Sequence, residues 1–309
     1  MSIQKLRGIF EALDTSEGWN LQLLRVATSK RTGTSYIGRM IHIDPDKKLN
    51  EMVSNIKEKY TKKGGELERF TDCVEYDGSA VNTTVYKMKT SNELIAEDYG
   101  CLAKALAETN TELSPFQLKY NAYVLCGTIK LDDSSVPIKL ITARNPVTTL
   151  HNKYCLFGEK FKEIDKEVLS LVEKVDAVII DGFIYMISLD VEKIFNMERS
   201  YKKICDLKVD EIVQYDIVTD PDIFVEFAKK GFNPRRFVSY NPEYLDKITK
   251  DKKSVKSIAK KFDIPVKGGK IDTSEPKNVE KFIKLLCGKG MLNPFDKMAM
   301  EVEGSKKWK

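Results

Sequence analysis

The sequence predicts an α+β fold: a strand-rich N-terminal half whose helices pack on a mixed or antiparallel sheet, then a helix-rich, basic C-terminal part. Two observations predict the class. β-prone runs bounded by turn residues dominate to about residue 190, and helical spacing of apolar residues dominates beyond it. A third observation divides the chain electrostatically, because residues 229–309 carry 21 Lys/Arg against 10 Asp/Glu, net +11, while residues 1–228 carry 30 against 36, net −6. The expected division is therefore 1–190, a strand-rich α+β region, and 191–309, a helical basic region. No flexible linker separates them, so one continuous domain fits the same reading.

Each element has a local reason. Residues 19–45 contain two β-rich runs, WNLQLLRVATS and TSYIGRMIHID, on either side of the turn-like Lys30-Arg31-Thr32-Gly33, and predict a hairpin. From Asp46 a charged segment places Leu49, Met52, Val53, Ile56 and Tyr60 at helical spacing and ends at Gly64-Gly65. Residues 70–77 and 80–89 read as strands, followed by a helix near 92–108 with Leu94, Ile95, Leu102, Ala105 and Leu106 on one face. Three more strands fall within 120–157, and a helix is expected where Phe161, Ile164, Val168, Leu171 and Val172 share a face. VDAVIIDGFIYMISL (175–189) is a hairpin, since Asp181-Gly182 tolerates the positive φ of a two-residue turn. Helices then follow over 191–197, 201–207, 221–230, 242–248, 252–262 and 276–286.

Composition excludes several classes. At 309 residues, 42% hydrophobic, the chain can bury a full core. Its apolar runs fall far short of the roughly 20 residues that span a bilayer, and its first 19 residues lack the continuous apolar run of a signal peptide. A cytoplasmic protein is expected. The six cysteines are scattered without a CxxC pair and are expected to be buried, reduced thiols. The two histidines give no zinc-ligand spacing, although Cys155 lies four residues from His151; no metal and no cofactor is expected.

Catalytic signatures are weak. His42, in the strand-like MIHID, reads as a half-buried structural residue and His151 as a solvated one. Neither Thr32-Gly33-Thr34 nor Lys267-Gly268-Gly269-Lys270 continues into a phosphate-cradling motif. The best carboxylate group, Asp220, Asp222 and Glu226 with Lys229, would put Asp222 and Glu226 on one helix face and keeps a metal-dependent nuclease open as an alternative. The same residues equally suit a surface helix whose acids and lysines complement its dipole. No catalytic residue is assigned.

The basic end is more informative. Lys229, Lys230, Arg235 and Arg236 lie within eight residues, interleaved with Phe232 and Phe237. Arg forks can engage two phosphate oxygens and exposed aromatics can stack on bases, but the aromatics also suit a core. In KKSVKSIAKKF (252–262), Val255, Ile258, Ala259 and Phe262 share a face, leaving Lys252, Lys253, Lys256, Lys260 and Lys261 elsewhere with no carboxylate between them. A polyanion, a membrane surface or plain solvent could meet such a face. The next segment, VKGGKI, reads as a turn and not as a recognition helix, so phosphate contact without base reading is the inference. Residues 276–286, with Pro276 and Gly288 as start and stop, pack a core, and the terminal GSKKWK is expected to fray.

The hairpin VDAVIIDGFIYMISL running into DVEKIFNMERSYKKIC, and the later helices ending in KNVEKFIKLLCGKGMLNP, together resemble the KwaB-like proteins of the Kiwa anti-phage system over about residues 120–300. The resemblance is one of pattern, and no catalytic residue is carried over from it. It implies a bacterial cytoplasmic defence component that binds DNA, self-associates as a homo-oligomer, and works with a small membrane-spanning partner, KwaA, which could recruit it to the inner membrane. The resulting expectation is a non-enzymatic DNA-binding protein. A nuclease, or an adaptor docking on an acidic protein or membrane surface, is the alternative.

Overall fold

The structure, a computed structural model, describes residues 3–13, 18–29, 33–43, 47–108, 119–132, 134–149, 153–157, 160–164, 167–250, 252–292 and 299–301. The chain divides into two compact units, Met1–Glu75 with Asn82–Met197, and Tyr76–Val81 with Glu198–Lys309. The fold is α+β, with an eight-stranded mixed sheet and a helix-rich C-terminal part.

In the first unit the elements run α1 (Ile3–Glu11), β1 (Asn20–Ser29), β2 (Gly33–Ile41), α2 (Lys47–Thr61), β3 (Asp72–Glu75), β4 (Thr84–Lys89), α3 (Ala96–Ala107), β5 (Ala122–Leu131), β6 (Ser134–Thr142), β7 (Val147–Thr149), β8 (Lys153–Phe157), β9 (Lys160–Ile164), β10 (Glu167–Leu169), β11 (Ala177–Ile180) and β12 (Phe183–Met186). The sheet order is β2-β1-β5-β6-β11-β12-β4-β3. Its neighbours are antiparallel except β3 and β4, which run parallel.

Alternation along β1 explains why LQLLRV is apolar on both sides. Leu21 and Leu23 join the core with Phe10 of α1 and Val53, Ile56 and Tyr60 of α2. On the opposite face Gln22 donates to the Leu106 carbonyl at the end of α3 at 3.1 Å. There α3 approaches β2 so closely that a Cβ on Gly38 would stand 2.3 Å from the Ala105 oxygen. Tyr60 stacks on Phe10 at 4.4 Å, and its hydroxyl donates to the Val175 carbonyl (3.0 Å) while accepting from the Val175 amide (2.8 Å). Burial raises the Tyr60 pKa well above that of a free phenol, so it stays a donor.

The Asp181-Gly182 hairpin is present as the sequence predicts. Both residues take positive φ (48° and 71°) and Ile180 pairs with Phe183. Strands β1 and β2 pair from Leu21–Ile41 to Ser29–Gly33, and Lys30, Arg31 and Thr32 lie outside the described residues.

Three expectations change. The helix expected around Phe161–Val172 is instead β9 and β10, paired with β8 and β7 respectively. Cross-strand pairing satisfies the backbone there, and the helical spacing of five apolar residues is too weak to compete with it. His42, just beyond β2, is exposed rather than half-buried, and His151 lies outside the described residues. The two short helices expected over 191–207 are a 3-10 turn (Leu189–Lys193) and one 18-residue helix, α4 (Met197–Gln214). The break between them falls at Asn196, whose φ of 44° cannot continue a right-handed helix.

The second unit continues with α5 (Pro221–Ala228), α6 (Asn233–Arg236), α7 (Pro242–Thr249), α8 (Lys252–Lys261), β13 (Val266–Lys267), β14 (Lys270–Ile271), α9 (Pro276–Leu286), β15 (Gly290–Leu292) and β16 (Ala299–Glu301). Pro221, Pro242 and Pro276 open their helices at positions where the missing N–H costs nothing. Asp220 and Asn241 cap α5 and α7 by accepting from Ile223 (3.0 Å) and Glu243 (3.0 Å) amides. The core gathers Cys205, Val209 and Ile212 of α4, Phe224 of α5, Val255 and Ala259 of α8, and Phe282, Ile283 and Leu286 of α9.

Cys73, Cys205 and Cys287 are buried, Cys126 is half-buried, and Cys101 is exposed against expectation. Burial pushes the Cys205 and Cys287 thiols up to about 12, so neither forms a thiolate nucleophile near neutral pH.

Candidate nucleic-acid interface

Helix α8 presents the cationic surface. Its inner face is fixed by Val255 and Ala259, both buried, with Ile258 packed alongside. The amphipathic spacing therefore leaves Lys253, Lys256, Lys260 and Lys261 exposed. None of these four forms an ion pair with a described residue, and the side chain of Lys252 lies outside the described residues. Beyond the helix, Asp263 takes φ 52° and the Ile264 amide donates back to Ala259 (2.9 Å), ending the helix cleanly. Exposed Lys267 follows at the β13–β14 turn, where Gly268 and Gly269 both have positive φ. The short ribbon confirms the expected turn, and no recognition helix follows α8 directly.

The other predicted cations have internal partners. Lys229 binds Asp206 at 2.9 Å, which raises its pKa, and Lys230 binds Glu226. Arg236 donates to Asn233 Oδ1 (2.5 Å) and to Glu280 (3.4 Å). Arg235 donates through Nε to the Gly78 carbonyl (2.8 Å) and through Nη2 to the Ser79 carbonyl (3.1 Å). Its guanidinium also lies against the rings of Tyr76, Tyr201 and Phe232 at 5.7, 5.7 and 5.3 Å. Of the interleaved aromatics, Phe237 is core and Phe232 is exposed.

The segment that Arg235 holds carries residues the sequence reading missed. Lys289 is 9% exposed and donates to Asp77 Oδ2 (2.7 Å) and Ser79 Oγ (2.8 Å). Burial works to raise the Asp77 pKa, but the hydrogen bonds from Lys289 and Ser79 outweigh it and hold the carboxyl below its ordinary value. Gly78 is required there: its φ is 79°, and a Cβ would meet the Arg235 carbonyl at 2.3 Å. No local signal marks this pairing, because its members are 212 residues apart.

Two of the three carboxylates considered for a metal are engaged locally. Asp220 caps α5, while Glu226 is bonded to Lys230, which lowers its pKa. Among the described residues no group of three or more His, Cys, Asp or Glu is placed to hold a metal ion. No described helix is long and apolar enough to cross a membrane.

Residues 126–289 match the family described as Kiwa protein KwaB-like. That span contains α8, Arg235, Arg236 and Lys289 and begins within β5. No curated protein and no solved structure matches the chain.

Proposed function

We propose that this chain, which belongs to the KwaB-like family of Kiwa proteins and is a component of anti-phage defence, binds DNA through phosphate contacts made by α8. The observation that carries the reading is the set Lys253, Lys256, Lys260 and Lys261, exposed on one helix and without ion-pair partners among the described residues. An ordinary solvated helix mixes both signs, as α2 does with its Lys48–Glu51 pair. Lysines without fork geometry suit point contacts to phosphate better than base reading, and the turn after α8 agrees with that. Lys229, Lys230, Arg235 and Arg236, expected from the sequence to join these contacts, are instead bonded to partners within the chain. Family membership also suggests the membrane-spanning Kiwa partner KwaA, and the reading has the protein cytoplasmic and self-associating.

The test is an anisotropy titration of a labelled duplex. Reversing Lys253, Lys256 and Lys260 to Glu should weaken binding by roughly tenfold or more with an unchanged circular dichroism spectrum. With four lysines on phosphates, log K should fall against log[salt] with a slope of about −3.6 in the wild type and much less steeply in the variant. Unchanged affinity in the variant rejects the reading.

A further inference from the structure

Where α8 ends, the second unit has a cleft of about 290 Å³. Phe262, Leu285 and Met300 supply its apolar lining, and Lys277, Lys281, Lys284 and Lys289, with the single carboxylate of Glu280 among them, supply its polar lining. Met300 is 45% exposed, and the Phe262 ring lies against the Gly290 backbone, where a Cβ would meet it at 2.9 Å. An aromatic ring thus lines a slot whose polar lining is mainly cationic.

We infer that this cleft takes one unpaired nucleotide of DNA, its base against Phe262 and Met300 and its phosphate on the lysines, an inference that rests on the reading of α8 as the DNA-contacting face. Three features point to that occupant. The volume is at the lower end for ligand sites and suits a single nucleotide, not a stacked base pair. The mixture of an apolar, aromatic floor with ammonium groups beside it is the chemistry by which single strands are held without sequence preference. Finally, the cleft lies at the C-terminal end of α8: Phe262, on the apolar side of that helix, follows Lys260 and Lys261, and Lys281 bonds both the Asp263 carbonyl and its carboxylate at 2.7 Å.

These lysines differ in what they have left to give. Lys281 is tied to Asp263 and Lys284 to Glu280 (2.9 Å), so both carry little uncompensated charge. Lys277 is exposed and makes no ion pair with a described residue, so it supplies the net charge for the phosphate.

The experiment compares a blunt labelled duplex with the same duplex carrying a five-nucleotide 3′ overhang, alongside calorimetric titration with a thymidine trinucleotide. The wild type should prefer the overhang by roughly tenfold. Phe262→Leu, which keeps the packing and removes the aromatic face, and Met300→Gln, a neutral surface change, should each reduce that preference to about twofold or less and leave blunt-duplex affinity unchanged. Equal wild-type affinity for blunt and overhang duplexes, or a preference that survives both substitutions, overturns the inference. The two readings fail separately. Loss of blunt-duplex binding in the α8 variant tests the helix, whereas trinucleotide binding lost in Phe262→Leu tests the cleft even if no duplex binds. Capture of the partner protein that Met300→Gln abolishes, with no trinucleotide binding in the wild type, assigns the cleft to a protein ligand and also overturns the proposal.

Discussion

Lys289 is buried in the second unit because Asp77 and Ser79 accept two of its hydrogens, and this fixes how the unit should respond to pH. The Asp77 pKa is lowered in the folded protein from an ordinary 3.8, so the unfolded chain binds the extra proton first as pH falls. Its contribution to stability is full above that ordinary value and is lost as pH drops through the lowered one. Asp77→Asn should cost about 3 kcal/mol at pH 7, since it leaves an ammonium group buried without its counterion. It should also flatten the decline in the urea midpoint below about pH 4. Adding Lys289→Met to that variant should recover part of the loss, and a double-mutant cycle measures the coupling; strict additivity would contradict the pairing. None of this was legible in the sequence. Lys289 reads as one more lysine of a basic tail, and DGS at 77–79 reads as a surface turn. By contrast, the exposed lysines of α8 were legible, because helical spacing alone assigns their faces.

At the scale of elements, legibility followed the strength of the local signal. The Asp181-Gly182 turn and the proline-led helices α5, α7 and α9 carry chemistry that specifies one backbone conformation, and they stand where the sequence places them. The stretch 160–172 carries only periodicity, and pairing with β7 and β8 decides it. The short helix α6 was missed because Pro234 within a four-residue turn, between Gly231 and Phe237, reads as loop. Strand β5 shows a further constraint that pattern reading cannot see. A Cβ on Gly127 would stand 2.7 Å from the ring carbons of buried Trp19. Gly127→Val should therefore destabilise the first unit by roughly 1–3 kcal/mol through overpacking. Chemical denaturation followed by tryptophan fluorescence measures this, and an unshifted midpoint would show that the ring can move aside.

For the whole molecule, the second unit runs from Glu198 but takes one piece from far upstream. Tyr76–Val81 belongs with the helices, and Arg235 and Lys289 hold it there through Gly78, Ser79 and Asp77. A fragment of residues 198–309 should accordingly be less stable than the same unit in the full chain, and a synthetic peptide of residues 76–81 added in excess should raise its thermal midpoint. A fragment as stable as the intact unit would refute the structural role of the segment. The family match begins at residue 126, so it includes the two cations but not the segment they grip.

That arrangement also sets a clock on synthesis. Asp77 leaves the ribosome 212 residues before Lys289, an interval of about 10–40 s at bacterial or slower rates of elongation. Strand β4 follows only a few residues after the segment and has its parallel neighbour β3 already made. The sheet can therefore start to assemble around a loop whose buried partners do not yet exist. During that interval the Asp77 carboxylate lacks its buried partner and the segment is open to a protease or chaperone, and the helical unit closes only after Lys289 has emerged.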